Sequence, residues 1–135
     1  MPKNIKPTRK KNILVVEDEK PLQDAIRIKL EKSGFAVVTA RTVEQALNYL
    51  KDIKEIDVIW LDHYLLGKED GLDFVAEAKN RSQWKDIPIF VVSNTASADK
   101  VRSYLELGIN KYYIKSEKRL DEIISDINDY LANKK

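Results

Sequence analysis

Polar side chains follow four of the five short apolar runs in this sequence. An acidic stretch, residues 17–19, follows the first run, and Asp62 follows the third. Ser93 follows the fourth run and Lys115 the fifth. Clustered carboxylates raise each other's pKa unless a cation compensates, and hard oxygen ligands with open positions suit Mg²⁺. If these runs end at one place in the fold, their side chains predict a site for a divalent metal.

Asp62 has the chemistry of a nucleophile for phosphoryl transfer. A carboxylate can attack phosphorus and form an aspartyl phosphate, and it needs no general base because it is already ionised. Lys115 and Ser93 would then contact the phosphoryl oxygens. In this reaction the protein mainly positions the groups and neutralises charge, so a metal, an ammonium and a hydroxyl around one carboxylate suit it.

The apolar runs alternate with five segments in which apolar residues recur at helical spacing. Continuous runs of this kind predict strands buried on both faces, and the segments between them predict amphipathic helices. With no second hydrophobic block and no internal repeat, the alternation predicts one α/β domain with a single parallel sheet covered on both faces. Ligands of such sheets bind beyond the carboxyl ends of the strands. The predicted strands are residues 13–16, 35–38, 58–61, 87–92 and 112–114.

Turn and cap residues divide these elements. Pro21 suits the first turn of the first helix and Gly34 its C-terminal end. Thr42 can cap the second helix, and Gly108 follows the fourth.

Neighbouring side chains of an extended segment point to opposite sides. His63 is therefore expected to point away from the groups that Asp62 contacts.

Composition bounds the function further. The 135 residues include 43% hydrophobic and 34% charged residues, which is typical of one globular domain. The absence of cysteine excludes zinc-thiolate, redox-thiol and cysteine-nucleophile chemistry. No apolar run approaches the roughly 20 residues of a membrane-spanning helix, and no signal peptide is evident. We expect a cytoplasmic protein without membrane contact.

The basic residues are distributed unevenly along the chain. Residues 1–11 contain five of the 24 basic residues and no acidic one, so acidic residues predominate in the rest. This predicts a basic, disordered tail over residues 1–11 and one domain over residues 12–135. Direct nucleic-acid binding is not expected, because no basic face with interleaved aromatic residues continues into the domain.

Over residues 12–131 the motifs resemble the receiver domain of two-component response regulators, of the stand-alone kind found in chemotaxis. Residues 13–19 resemble the family's first strand and acid pair, and Gly71 its loop glycine. Asp62 matches the phosphoacceptor and Tyr112 the aromatic residue whose rotamer switches with phosphorylation. Ser93 and Lys115 match the family's hydroxyl and lysine. The resemblance implies a doubly wound, flavodoxin-like (βα)5 fold with strand order 2-1-3-4-5.

The resemblance also implies the metal ligands and the partners. Asp18 and Asp62 would bind Mg²⁺ directly together with the backbone carbonyl of Tyr64, and Glu17 would act through water. A histidine kinase or a histidine phosphotransfer protein would phosphorylate Asp62. Output would go through protein contacts of the fourth helix, fifth strand and fifth helix, from a monomer or a phosphorylation-dependent dimer. No output domain is expected in these residues, and no enzymatic activity beyond self-phosphorylation and self-dephosphorylation.

Several positions depart from the family pattern. Glu17 stands where aspartate is commoner, Leu66 where proline is frequent, and Asn94 where a small alanine is typical. The loop from Asp62 to Gly71 is one residue longer than usual. Ser116 follows the lysine where proline is usual, so the cis peptide common there is not implied.

Three alternatives follow from these observations. A pseudo-receiver would keep the fold and signal without phosphorylation, which the complete set of acids, serine and lysine disfavours. A haloacid-dehalogenase-like phosphatase would need a second acid two residues after the nucleophile, where this chain has Tyr64. A flavin- or dinucleotide-binding protein would need a glycine-rich loop after the first strand, where this chain has acidic residues.

Overall fold

The computed structural model describes residues 9–95 and 97–133. Five strands and five helices alternate along this part of the chain. They are β1 (Asn12–Val16), α1 (Lys20–Lys32), β2 (Ala36–Ala40), α2 (Val43–Asp52), β3 (Val58–Leu61), α3 (Gly71–Lys79), β4 (Ile89–Ser93), α4 (Ala98–Leu107), β5 (Lys111–Ile114) and α5 (Leu120–Asn133).

The strands form one parallel sheet in the order β2-β1-β3-β4-β5, which confirms the predicted fold and strand order. The register aligns the carboxyl ends of the strands. Val16 pairs with Ala40 on one side and with Leu61 on the other, and Ser93 pairs with Ile114. The residues that follow these strands therefore lie at one edge of the sheet.

The two faces of the sheet carry separate hydrophobic cores. Because side chains alternate along a strand, Leu14 and Val16 pack with α2, α3 and α4, while Ile13 and Val15 pack with α1 and α5. Trp60 belongs to the second core and is fully buried. Alternate residues of β1 therefore pack against helices on opposite faces of the sheet.

The prediction that the strands are buried on both faces is confirmed for β1, β3 and β4, but it is wrong for the two edge strands. Residues 36–39 of β2 are half-buried, and Lys111 of β5 is exposed. Each edge strand has one sheet neighbour, so helices cover it less completely than the central strands. The apolar run alone does not distinguish an edge strand from a central one.

The predicted helix ends are confirmed in detail. Pro21 lies in the first turn of α1, and the Thr42 side chain accepts a hydrogen bond from the backbone N–H of Gln45 at 3.0 Å. Gly108 ends α4 in the left-handed conformation, with φ of 96°. Ser33 is the C-cap residue of α1, and Gly34 follows it with a positive φ of 96°. Glycine reaches this conformation without steric cost.

Most of the predicted tail, residues 1–8, lies outside the described residues. Arg9 forms a bidentate pair with Asp57, with both N···O distances at 2.9 Å, and Asp57 also accepts from the backbone N–H of Asn12. The boundary between tail and domain stays a prediction. Among the described residues, no helix is both long and apolar enough to cross a membrane.

Candidate active site

Three carboxylates meet where β1 and β3 end. Each of Glu17, Asp18 and Asp62 has a carboxylate oxygen within 4.8 Å of the other two. The sheet register produces this cluster, because backbone hydrogen bonds continue one residue past the strands. The Asp62 N–H donates to the Val16 carbonyl and the Glu17 N–H to the Ala40 carbonyl, both at 2.9 Å.

Lys115 is the cation of this cluster. Its Nζ lies 3.1 Å from Glu17 Oε1 and 3.4 Å from Asp62 Oδ2. The Lys115 backbone N–H donates to the Ser93 carbonyl at 2.9 Å, which extends the β4–β5 pairing by one residue. Residues from the first, third and fifth strand ends are thereby in contact, as their positions after the apolar runs predicted.

Burial raises the pKa of Glu17, and the charge of Asp62 raises it further. Burial also raises the pKa of Asp62, although Lys115 opposes this. Burial alone would lower the pKa of Lys115, but the charges of Asp62 and Glu17 outweigh it and raise that pKa. One ammonium does not balance three carboxylates, so the cluster favours a further positive charge.

The donor set fits a divalent metal ion. Carboxylate oxygens are hard ligands. Proteins usually hold Mg²⁺ with one or two carboxylates and leave its other coordination positions to water or substrate. Asp18 is half-buried beside two almost fully buried carboxylates, so an ion could approach from its side. The acidic cluster could therefore hold a divalent metal.

Two further predicted residues lie at the same edge. Ser93 is fully buried at the end of β4, and its Oγ accepts a hydrogen bond from the Thr95 N–H at 3.4 Å. The Tyr112 hydroxyl donates to the Thr95 carbonyl at 2.7 Å. Ser97 caps α4 by accepting a hydrogen bond from the backbone N–H of Lys100. Ser93 and Tyr112 therefore both contact the loop that joins β4 to α4.

A model of the response regulator receiver domain matches residues 13–128. The chain belongs to this receiver-domain family. The phosphate regulon transcriptional regulatory protein PhoB of Escherichia coli (strain K12) is 36% identical over 106 residues, which cover 78% of this chain and 45% of PhoB. The receiver thus spans less than half the length of this relative.

Solved structures show the same fold. The phosphorylated cyanobacterial phytochrome response regulator RcpA is 30% identical with a TM-score of 0.81, and the match covers 92% of this receiver and 95% of RcpA. The Mn²⁺-bound form of response regulator Rcp1 is 27% identical with a TM-score of 0.78, and the match covers 93% and 96% of the two chains.

The departures from the family pattern are accommodated in the receiver. In the longer loop, Gly67 adopts a positive φ of 91°, and Leu66 forms an isolated bridge with Thr42. The Gly71 N–H donates to the His63 carbonyl at 2.9 Å and closes the loop where α3 begins. The peptide bonds in the described part of the chain, including the one before Ser116, are all trans.

His63 points away from the carboxylate cluster, as expected from the alternation of side chains. Its ring is buried, and Nδ1 lies 2.6 Å from the Tyr104 hydroxyl. Burial lowers the pKa of His63 and raises that of Tyr104. Nε2, the other ring nitrogen of His63, faces Asp70 Oδ2 at 3.7 Å.

The backbone at His63 orients the carboxylate of Asp62. The His63 N–H donates to Asp62 Oδ1 at 2.8 Å, while Oδ2 faces Lys115. The Tyr64 ring is half-exposed and lies against His63 and Lys100. The role predicted for the Tyr64 carbonyl stays a prediction.

Two residues that form hydrogen bonds to the acidic stretch after β1, residues 17–19, were not predicted from the sequence. The Arg41 guanidinium donates to the Asp18 carbonyl at 2.9 and 2.7 Å, and Gln23 donates to the carbonyls of Glu17 and Ala40. Arg41 directly follows the last residue of β2. A basic residue directly after a strand that ends at this edge is the signal that could have identified it.

Replacing Gly71 by alanine is expected to lower the free energy of unfolding by about 1–3 kcal/mol, as overpacking does. A Cβ on Gly71 would overlap the Tyr104 hydroxyl and lie 2.9 Å from the Asp62 carbonyl oxygen. Urea unfolding measures the loss. In a Tyr104→Phe background the loss should be smaller because the hydroxyl is gone. Equal losses in the two backgrounds would contradict the proposed overlap.

Proposed function

We propose that this receiver accepts a phosphoryl group on the carboxylate of Asp62 from a histidine kinase or a histidine phosphotransfer protein, with Mg²⁺ bound at the acidic cluster. The observation that carries this proposal is the contact of Asp62 with Lys115 beside Glu17 and Asp18. A buried carboxylate whose pKa is shifted by burial and by specific charged neighbours is typical of a functional site. The phosphorylated form in which the relative RcpA was solved supports the same chemistry.

In the proposed reaction, a carboxylate oxygen of Asp62 attacks the phosphorus of a phosphohistidine. The new O–P bond forms as the P–N bond breaks, and the electron pair of that bond leaves with the donor imidazole. Lys115 lies beside Oδ2 and would neutralise charge on the phosphoryl group, and the Ser93 hydroxyl would donate to a phosphoryl oxygen. The His63 N–H holds Oδ1 in place during the attack.

For the metal, we propose direct ligation by Asp18, Asp62 and the backbone carbonyl of Tyr64, with Glu17 acting through water. When bound, Mg²⁺ acts as a Lewis acid that neutralises charge on the phosphoryl oxygens. The Mn²⁺-bound form of the relative Rcp1 supports a divalent metal in this fold. Glu17 accepts hydrogen bonds from Lys115 and from the Glu19 N–H, which hold its carboxylate within the cluster.

Output is proposed to start at the loop between β4 and α4. A hydrogen bond from Ser93 to a phosphoryl group would draw this loop inward and disturb the bond between Tyr112 and the Thr95 carbonyl. The resulting change would reach the face formed by α4, β5 and α5, where a downstream protein or a second receiver would bind. We propose that the protein acts in the cytoplasm, as a monomer or as a dimer that phosphorylation promotes.

The test is the intact mass of the protein after incubation with acetyl phosphate, a small phosphoryl donor. The wild-type protein should gain one phosphoryl group with Mg²⁺ and none with EDTA. Asp62→Asn should gain none, because the amide is not a nucleophile for phosphorus. Asp52→Asn, which changes an exposed carboxylate at the end of α2, should behave as wild type.

The same experiment tests the alternative function. A wild-type protein that gains no mass with Mg²⁺ would contradict the proposed phosphorylation and favour a pseudo-receiver that signals through protein contacts alone. Asn94, which follows the buried Ser93, is the residue that would restrict access in that case. Mass gain that persists in Asp62→Asn would instead place the phosphoryl group on another residue.

A further inference from the structure

The buried side chains of His63 and Tyr104 have no role in the phosphoryl chemistry proposed above, and their contact joins the loop after β3 to α4. His63 lies in the loop directly after the proposed phosphoacceptor, and Tyr104 lies 41 residues later on α4. Both side chains are almost fully buried, at 2% and 0% exposure. Their hydrogen bond links the site to a helix of the proposed output face.

On the β3 side, His63 controls the orientation of Asp62. Its backbone N–H donates to Asp62 Oδ1, and its carbonyl accepts from the Gly71 N–H at 2.9 Å. The ring, held by Tyr104 and facing Asp70, restrains the backbone that makes these two bonds. A displacement of the His63 ring would therefore rotate the Asp62 carboxylate, which attacks phosphorus in the proposed reaction.

On the α4 side, Tyr104 is the main anchor of the helix. All residues of α4 are described, and Tyr104 is the one fully buried side chain among them. Its ring packs at 5.7 Å from the ring of Tyr112, and its hydroxyl occupies the space that a side chain on Gly71 would fill. The position of α4 therefore depends on this residue.

We propose that the Tyr104 hydroxyl is a positioning group: through His63 it holds the Asp62 carboxylate in the orientation that accepts the phosphoryl group, and it ties that orientation to the position of α4. This inference rests on the proposed phosphorylation of Asp62. Because coupling between two sites is reciprocal, a partner that displaces α4 would change the reactivity of Asp62, and phosphorylation of Asp62 would change how α4 is held.

The test compares two variants that each remove one tyrosine hydroxyl. Tyr104→Phe deletes the bond to His63, and Tyr113→Phe deletes a 2.7 Å bond to Asp126 on the opposite face of the sheet. With acetyl phosphate and Mg²⁺, Tyr104→Phe should lower the limiting rate of phosphorylation about fivefold, the usual net effect of one hydrogen bond. Tyr113→Phe should leave this rate unchanged.

A His63→Phe background distinguishes positioning from a general structural effect. If the hydroxyl acts through His63, Tyr104→Phe should have no additional effect on the limiting rate once His63 is replaced. Thermal unfolding of each variant confirms that it is folded. In Tyr104→Phe, amide exchange within α4 should rise about fivefold more than exchange in α1.

The outcomes separate this inference from the proposed function. Absence of phosphorylation in the wild-type protein would overturn both. A phosphorylated wild type with equal rates in Tyr104→Phe and Tyr113→Phe would overturn the inference alone. It would also be overturned if the rate loss of Tyr104→Phe persisted undiminished in the His63→Phe background.

Discussion

Replacing Lys115 by methionine is expected to slow the phosphorylation of Asp62 by about a hundredfold, which is typical of removing one preorganised charge donor from a site. Lys115 Nζ contacts both Asp62 and Glu17, and its side chain is largely buried. Methionine keeps an unbranched side chain that ends one atom earlier and removes the ammonium. The approaching phosphoryl group would then meet three carboxylates without a protein cation in contact with them.

The rate of mass gain with acetyl phosphate and Mg²⁺ measures this effect. Lys111→Met is the matched control, because Lys111 lies at the opposite end of β5 and pairs with Asp126 at the surface, 3.6 Å away. Its rate should stay within about twofold of wild type, since an exposed ion pair contributes little. Comparable losses in both variants would contradict the role of Lys115. Circular dichroism establishes that both variants are folded.

Replacing Glu17 by glutamine is expected to raise the free energy of unfolding of the metal-free protein by about 2 kcal/mol at pH 7. Glu17 is fully buried, and burial together with the charge of Asp62 raises its pKa from 4.5 to about 7. Lys115 donates to Oε1 of Glu17 and the Glu19 N–H to Oε2, so glutamine, with one acceptor oxygen, keeps one of these two hydrogen bonds and carries no charge. The variant therefore removes the repulsion from Asp62 and loses one local hydrogen bond.

The sign of the pH dependence follows from the raised pKa. Between pH 4.5 and about 7 the folded protein keeps a proton on Glu17 that the unfolded chain has lost. Unfolding then releases a proton, so this residue makes the metal-free protein less stable as the pH rises through that range. Glu17→Gln should remove this contribution.

Urea unfolding at pH 5 and pH 7, in EDTA and in Mg²⁺, measures both effects. Mg²⁺ should stabilise the wild-type protein by binding the folded state, and it should stabilise Glu17→Gln less because the cluster has lost a charge. Glu106→Gln, at an exposed position on α4, is the control and should match wild type. A Glu17→Gln variant that is less stable than wild type at pH 7 in EDTA would contradict the proposed repulsion.

The chemistry of the site was largely predictable from the sequence. In a parallel sheet all carboxyl ends lie at one edge, so residues that directly follow apolar runs must gather there. Glu17, Asp18, Asp62 and Lys115 obey this rule, and they are in contact in the folded protein. The strand order came from the resemblance to receiver domains, because alternating strands and helices permit several orders.

The five strands, the five helices and the residues at the sheet edge were predictable from the amino-acid sequence, because hydrophobic period and cap residues are local signals. The burial of the edge strands, the hydrogen bonds from Arg41 to the Asp18 carbonyl and the bond between His63 and Tyr104 became evident in the folded protein. These contacts join residues far apart in the chain and follow no period. They depend on how the helices pack against the sheet, which no single segment of the sequence specifies.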